Sequence, residues 1–342
     1  MRQYKKFESL ISSFINENEN YIVFNDGKPI RQNIIDENSI DICVDNVMDC
    51  FDICMRKRPK YEDDIISNAH FNNYLLFKKD MDIKIIYLND EEDNITFSFD
   101  FERDINVNVT NIFLAFDRDT NILNDYNLND CTNIVINNFT NYDKNILEYN
   151  NYYLDDKAHV EINNLQINKQ SASSFNNVYL YSGGSSTNIN NSCINASGEK
   201  QTNNFIIHHL EKQTTSELIG YGVVLNKSIL NMDTNGIIKK GASKSAIHQT
   251  SKGILLDLNS SMSASPYLFI DEYDCLASHG ASIGALDEND IFYLMSRGLD
   301  KISAEKLIVY GFFNPYLSKI KDEKILAYIE NIIANNLENK NE

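Results

Sequence analysis

The chain has 342 residues, of which 42% are hydrophobic and 11% aromatic, with 19 Tyr, 18 Phe and no Trp. That length suits one large domain or two to three small ones, with enough apolar material for a sizeable core, so wholesale disorder is excluded. The 31 basic residues against 49 acidic ones leave a net charge of −18, a field that repels a phosphate backbone and argues against a nucleic-acid partner.

The opening MRQYKKFESL carries positive charge with no apolar run behind it, so no secretory leader is expected. No apolar run reaches the roughly 18 residues that a membrane span needs. Tyr21-Ile22-Val23-Phe24-Asn25-Asp26-Gly27 predicts a short strand entering an Asp-Gly turn. Residues 41–56 place Ile42, Val44, Val47, Met48, Phe51 and Met55 near a helical period, with Cys43, Cys50 and Cys54 on one face. No CxxC pair or nearby His completes a ligand set, so these thiols read as small core hydrophobes. Arg56-Lys57-Arg58, followed by Pro59, reads as a solvated turn. The six cysteines (43, 50, 54, 131, 193 and 275) form no tight framework, which points to a reduced, cytosolic chain. With only 4 Pro and 13 Gly, the abundant Asn is expected to replace Gly at corners.

From about residue 81 short apolar runs recur between Asn, Asp, Gly and Ser, among them Ile83–Leu88, Ile112–Phe116, Val178–Tyr181, Leu218–Leu225 and Tyr267–Ile270. No helical stripe appears before about residue 280, which excludes an alternating strand–helix sheet. A sandwich and a solenoid remain. Ile207, Ile229, Ile247 and Leu268 recur at gaps of 22, 18 and 21 residues, which favours a parallel β-helix with coils of roughly 20 residues. Beyond it, Asp287 predicts a capped helix to about Ser296, with Ile291, Phe292, Leu294 and Met295 on its buried side and Gly298 at its end. Ser303 is expected to cap a second helix carrying Ala304, Leu307, Ile308 and Phe312. Pro315 is expected to open a third, with Ile320, Ile325, Leu326, Ile329, Ile332, Ile333 and Leu337 at helical spacing. The chain thus divides into a mixed helical region (1–80), a mainly β solenoid (81–286) and a helical end (287–342).

Candidate chemistry is sparse. Gly241-Ala242-Ser243-Lys244-Ser245 lacks the Gly before Lys and the preceding Gly-initiated loop of a nucleotide site, so no nucleotide is expected on this chain. Gly183-Gly184-Ser185-Ser186 is a turn rather than a nucleophile elbow. Of the histidines at 70, 159, 208, 209, 248 and 279, the adjacent His208 and His209 would face opposite sides of a strand and cannot share an ion, one of them being an interior residue. Cys275 and His279 would share a strand face, and both are good ligands for iron or zinc. No carboxylate pair stands out for glycosidic chemistry, which leaves a carbohydrate-active β-helix as the weaker alternative.

The stretches Ser265-Pro266-Tyr267-Leu268-Phe269-Ile270, Ser278-His279-Gly280-Ala281-Ser282-Ile283-Gly284-Ala285-Leu286-Asp287 and Ile291-Phe292-Tyr293-Leu294-Met295-Ser296-Arg297-Gly298 resemble the SufB/SufD family of iron–sulfur cluster assembly proteins, and its SufD branch most. His209, Thr215-Ser216, Gly222, Gly236, Gly241-Ala242 and Gln249 follow the family's order upstream, so the likeness is strong over about 205–313. The resemblance implies a right-handed parallel β-helix between helical ends and a non-enzymatic scaffold. It also implies a complex with the ABC-type ATPase SufC and with SufB (or a second copy of this chain), on which a nascent iron–sulfur cluster is built. The family's His falls on His279. Its frequent Cys two residues earlier is Ala277 here, with Cys275 two further back as a candidate substitute. The ATPase would dock on the C-terminal helices, with Phe292, Tyr293, Arg297 and Phe312 as the expected contacts. A chain combining SufB and SufD roles is the close alternative.

Overall fold

The computed structural model describes residues 2–44 and 73–338. Helix α1 (Arg2–Phe14) leads to strand β1 (Asn20–Asn25), which turns into β2 (Lys28–Asn33). Asp26 and Gly27 both have positive φ, 52° and 69°, as a tight two-residue hairpin requires; strand and turn are where the sequence predicts them. The helix expected over 41–56 does not begin there. Ile40–Val44 is strand β3, paired antiparallel with β4 (Asn73–Phe77), and its β-branched Ile40, Ile42 and Val44 suit a pleated surface. Cys43 is therefore a strand residue. Cys50, Cys54, Arg56-Lys57-Arg58 and His70 lie outside the described residues.

Fifteen strands follow, alternating between two sheets. The odd ones are β5 (Met81–Asn89), β7 (Asn106–Phe116), β9 (Asn133–Thr140), β11 (His159–Gln166), β13 (Ser186–Asn195), β15 (Thr215–Val224), β17 (Ser245–Leu255) and β19 (Cys275–Ala285). The even ones are β6 (Asn94–Phe101), β8 (Thr120–Leu128), β10 (Ile146–Leu154), β12 (Ala172–Leu180), β14 (Lys200–His209), β16 (Ile229–Ile238) and β18 (Ser261–Ile270). Sheet 1 runs β19-β17-β15-β13-β11-β9-β7-β5-β1-β2 and sheet 2 runs β18-β16-β14-β12-β10-β8-β6-β4-β3. The strands from β4 onward pair in parallel, giving a mainly β solenoid of about seven turns, as expected. Strands of the N-terminal region extend both sheets, so the solenoid begins before residue 81.

The coil is longer than the sequence suggested. Thr120 lies opposite Ile146, a step of 26 residues, and Ser245 opposite Cys275, a step of 30. The spacing of roughly 20 arose because Ile207, Ile229, Ile247 and Leu268 belong to strands of both sheets, and Ile229 faces outward, 43% exposed. The true repeat is carried by Asn pairs at 137/138, 150/151, 163/164, 176/177, 190/191 and 203/204, at gaps of 13, 13, 13, 14 and 13, one pair per half-coil. In each pair one Asn faces the lumen and the other faces out. Their side-chain amides bond rung to rung: Asn111 to Asn138 to Asn164 at 2.8 and 2.9 Å, and Asn124 to Asn150 to Asn176 at 2.8 and 3.0 Å. Corners use other residues. Among the described residues, eight non-glycine residues have positive φ and one of them, Asn226, is an asparagine, so the expected replacement of Gly by Asn in the left-handed region at corners is seen there once.

The apolar core has two parts. Inside the coils, Phe24, Phe97, Phe99, Tyr126 and Tyr152 are buried among Ile and Val columns. Outside sheet 1, Val23, Ile86, Phe139, Leu165 and Val223 are covered by terminal helices. These are α1, α3 (Lys301–Leu317) and α4 (Glu323–Glu338), while α2 (Glu288–Ser296) links the last strand to α3 without joining that core. Asp287 caps α2 as predicted, accepting from Asn289 N (2.8 Å), and Gly298 follows the helix with φ 101°. The other two caps differ from expectation. Asp300 caps α3 and accepts from Ser303 N at 2.8 Å, which puts Ser303 in the first turn. Pro315 lies near the end of α3, and α4 instead follows Asp322, which accepts from Lys324 N and Ile325 N. An aspartate carboxylate answers two free N–H groups at once, which a proline does not. Tyr316 Oη donates to Asn138 O (3.1 Å) and Lys319 pairs with Glu161 (2.6 Å), fixing α3 to sheet 1. Lys84 ties Glu19 (2.7 Å) and Asp322 into one junction.

Candidate functional site

β18 and β19 end their sheets, each with a neighbour on one side only. The outer edge of each therefore presents unpaired N–H and C=O groups. Apolar side chains accompany them: Tyr267 is 52% exposed, Phe269 56% and Leu276 75%. In β17 the side chains of Ser245, Ile247, Gln249 and Ser251 are buried in the lumen, and their partners in β19 are Cys275, Ala277, His279 and Ala281. Cys275 and His279 therefore look into the open mouth of the solenoid, on one face as their spacing predicts.

Four residues of extended strand separate them by about 13 Å. A single ion would bind one of the two, so the pair does not by itself make a chelate. Cys275 is also held as a thiol. Its Sγ donates to Glu272 O (3.3 Å), and desolvation, followed by the Glu272 and Asp274 carboxylates, raises its pKa; the thiolate is the form that binds metal. Among the described residues, no three His, Cys, Asp or Glu side chains converge tightly enough to hold a metal ion.

The other histidines sort by face. His209 points inward with Nδ1 2.8 Å from Thr214 Oγ1 and Nε2 2.8 Å from Ser216 Oγ, while His208 stacks on the outer Tyr179 ring at 4.6 Å. Burial lowers both to about 4, so each is neutral at pH 7. His248 was not singled out from the sequence. It lies on the outer face of β17, with Nδ1 2.6 Å from Ser278 Oγ and Nε2 3.1 Å from Thr250, beside a groove lined by Thr215, Glu217 and Leu276. Only the strand register brings Ser278 to it. Gly241 N donates to Glu272 (2.9 Å) at a corner between strands, so the Gly241–Ser245 stretch cradles a carboxylate of its own chain.

The expected docking residues separate into two places. Phe292 and Tyr293, 73% and 56% exposed, project from α2, where the Arg297 guanidinium covers the Tyr293 ring at 5.2 Å. No residue of α2 is buried, contrary to the buried side expected for it, because the helix meets little besides α3. Phe312 is different. It lies between α3 and the solenoid, edge-on to Tyr221 at 5.1 Å, so it belongs to the packing of the cap.

Residues 104–312 match the family described as SUF system FeS cluster assembly, SufBD core domain. The chain is 35% identical to the iron–sulfur cluster assembly protein SufD of Bacillus subtilis over 136 residues, 39% of this chain and 31% of that protein. It is 37% identical to a SufBD family protein of Pyrococcus horikoshii over 114 residues, 31% of this chain and 25% of that protein. With Escherichia coli SufD it shares 33% identity over 91 residues, 26% of this chain and 22% of that protein. The matched stretch thus spans a third or less of each relative's length.

Proposed function

The chain belongs to the SufB/SufD family of iron–sulfur cluster assembly proteins, and from that premise we propose that it is a SufD-like scaffold subunit working with an ABC-type ATPase and a SufB-type paralogue in the cytosol. The observation that carries this reading is the open last turn. His279 stands exposed there among unpaired strand edges and apolar side chains, a surface that a second solenoid would cover by continuing both sheets. The nascent cluster is cargo at that junction. His279 supplies one donor, and the partner supplies those that this chain lacks. Cys275 is a second donor only where a bound metal displaces its proton. Helix α2, with Phe292, Tyr293 and Arg297, is the ATPase contact.

Co-expression with the candidate ATPase and paralogue, followed by size-exclusion chromatography, tests the reading. The expected result is one co-eluting complex carrying iron and sulfide, with His279→Ala leaving the complex intact while its iron and sulfide fall sharply. A chain that elutes alone overturns it, whereas a His279→Ala complex with normal iron overturns the role of His279 and leaves the scaffold reading standing. A homodimer in place of the mixed complex would favour the combined-role alternative.

A further inference from the structure

One inward column of sheet 1 can be followed through eight strands by register. It reads Ile83, Val109, Ile136, Ile162, Ile189, Leu218, Gln249, His279. The first six are aliphatic and at most 2% exposed. The column turns polar only at the last two rungs. Gln249 is fully buried, yet neither its Oε1 nor its Nε2 has a hydrogen-bond partner in the protein. Its amide reaches across the lumen to Gly236. A Cβ built on Gly236 would stand 3.0 Å from Gln249 Nε2 and 2.2 Å from Ile247 Cδ1, so the amide occupies space that only glycine leaves free. Thr234 Oγ1 and Ser251 Oγ, on neighbouring inward positions, are likewise buried without partners.

A buried amide with no partner is costly, and a leucine would continue the column as in the rungs below. The group therefore serves something beyond the folded core. The next side chain in its column, one strand spacing away, is the His279 imidazole.

We propose that Gln249 is a positioning residue for His279. When a second chain covers the mouth and excludes water, the Gln249 amide becomes the partner of the imidazole nitrogen that faces the lumen. Oε1 accepts that N–H, fixing the tautomer and aiming the other nitrogen at the junction. A histidine that binds a metal is commonly held in this way through its second nitrogen. The inference rests on the proposed role of His279 and adds the group that orients it.

The test uses the co-expressed complex together with the isolated chain. Gln249→Leu is expected to leave the thermal midpoint of the isolated chain unchanged or higher, since it removes an unpartnered amide. In the complex it is expected to lower iron and sulfide at least threefold. Gln249→Glu, which keeps an acceptor, is expected to recover at least half of that loss. The double variant with His279→Ala is expected to fall no further than His279→Ala alone. A lower midpoint for Gln249→Leu would make the amide structural and overturn the proposal, as would additive losses in the double variant. Normal iron in the Gln249→Leu complex with depleted iron in the His279→Ala complex would overturn this inference alone. Normal iron in both would overturn the reading of His279 and this inference with it.

Discussion

Glu148 faces the lumen from β10, where it is 5% exposed and its carboxylate accepts from Asn150 Nδ2 at 3.0 Å. Burial raises its pKa to about 7, against the smaller opposing effect of hydrogen bonds from Asn150 and Ser174. A carboxyl raised in this way holds its proton in the native state where the unfolded chain has lost it. Stability is therefore fully retained below the ordinary value of 4.5 and lost as pH rises through about 7. The span corresponds to about 3 kcal/mol. Glu148→Gln keeps an acceptor for Asn150 and removes the titration. Urea midpoints at pH 5 and pH 8 should differ clearly in the parent protein and much less in the variant; equal slopes would exclude Glu148 as the source. The sequence could not single out this residue, because "Glu in a strand" reads the same whether it faces water or the lumen. The same holds for Gln249 and His248. The face of His279 was legible from alternation, but its exposure was not, since that depends on where the solenoid stops.

Helix α2 shows what short-range signals decide at the level of an element. Asp287 and Gly298 fix its ends through local hydrogen bonding and backbone conformation, and both were readable. Its buried side was not, because burial requires a neighbour, and α2 has little beside it. That apolar face leads to a prediction. Burying a side chain such as Phe292 in an interface is worth roughly 1.5–3 kcal/mol, so Phe292→Asp should weaken ATPase binding at least tenfold while the thermal transition stays unchanged. Titration of the purified chains by calorimetry measures it, and parent-like affinity in the folded variant would remove α2 from the docking surface. Phe312→Asp is the contrasting case: contact with Tyr221 should make it lower the melting temperature first. The Asn ladders are also an element-scale feature. Their 13-residue spacing was present in the chain, but the aliphatic positions used to find the repeat came from both sheets and obscured it.

At the scale of the whole molecule the solenoid is closed at its flank and open at its end. The terminal helices cover the outer face of sheet 1, while β18 and β19 leave edges and apolar side chains uncovered. Exposed strand edges of this kind pair readily with another chain. Lysines at this end should stop that pairing: Phe269→Lys with Leu276→Lys is expected to abolish end-on association with the paralogue or a second copy, yet leave ATPase binding through α2. Light scattering of the variant mixed with each partner separately checks both halves, and retained end-on assembly would point to another surface. What the sequence determined by itself was the class of the fold, the helical end, the Asp-Gly hairpin and the family likeness around His279, because runs, caps, turns and motifs are set by residues close together in the chain. The coil length, the strand at Ile40–Val44, the separation of Phe312 from α2 and the unpartnered Gln249 beneath His279 were decided only by the tertiary structure. Each depends on which residues far apart in the chain meet across a lumen, a sheet or a helix contact, and that pairing is set by the packing of coils and helices rather than by any local preference.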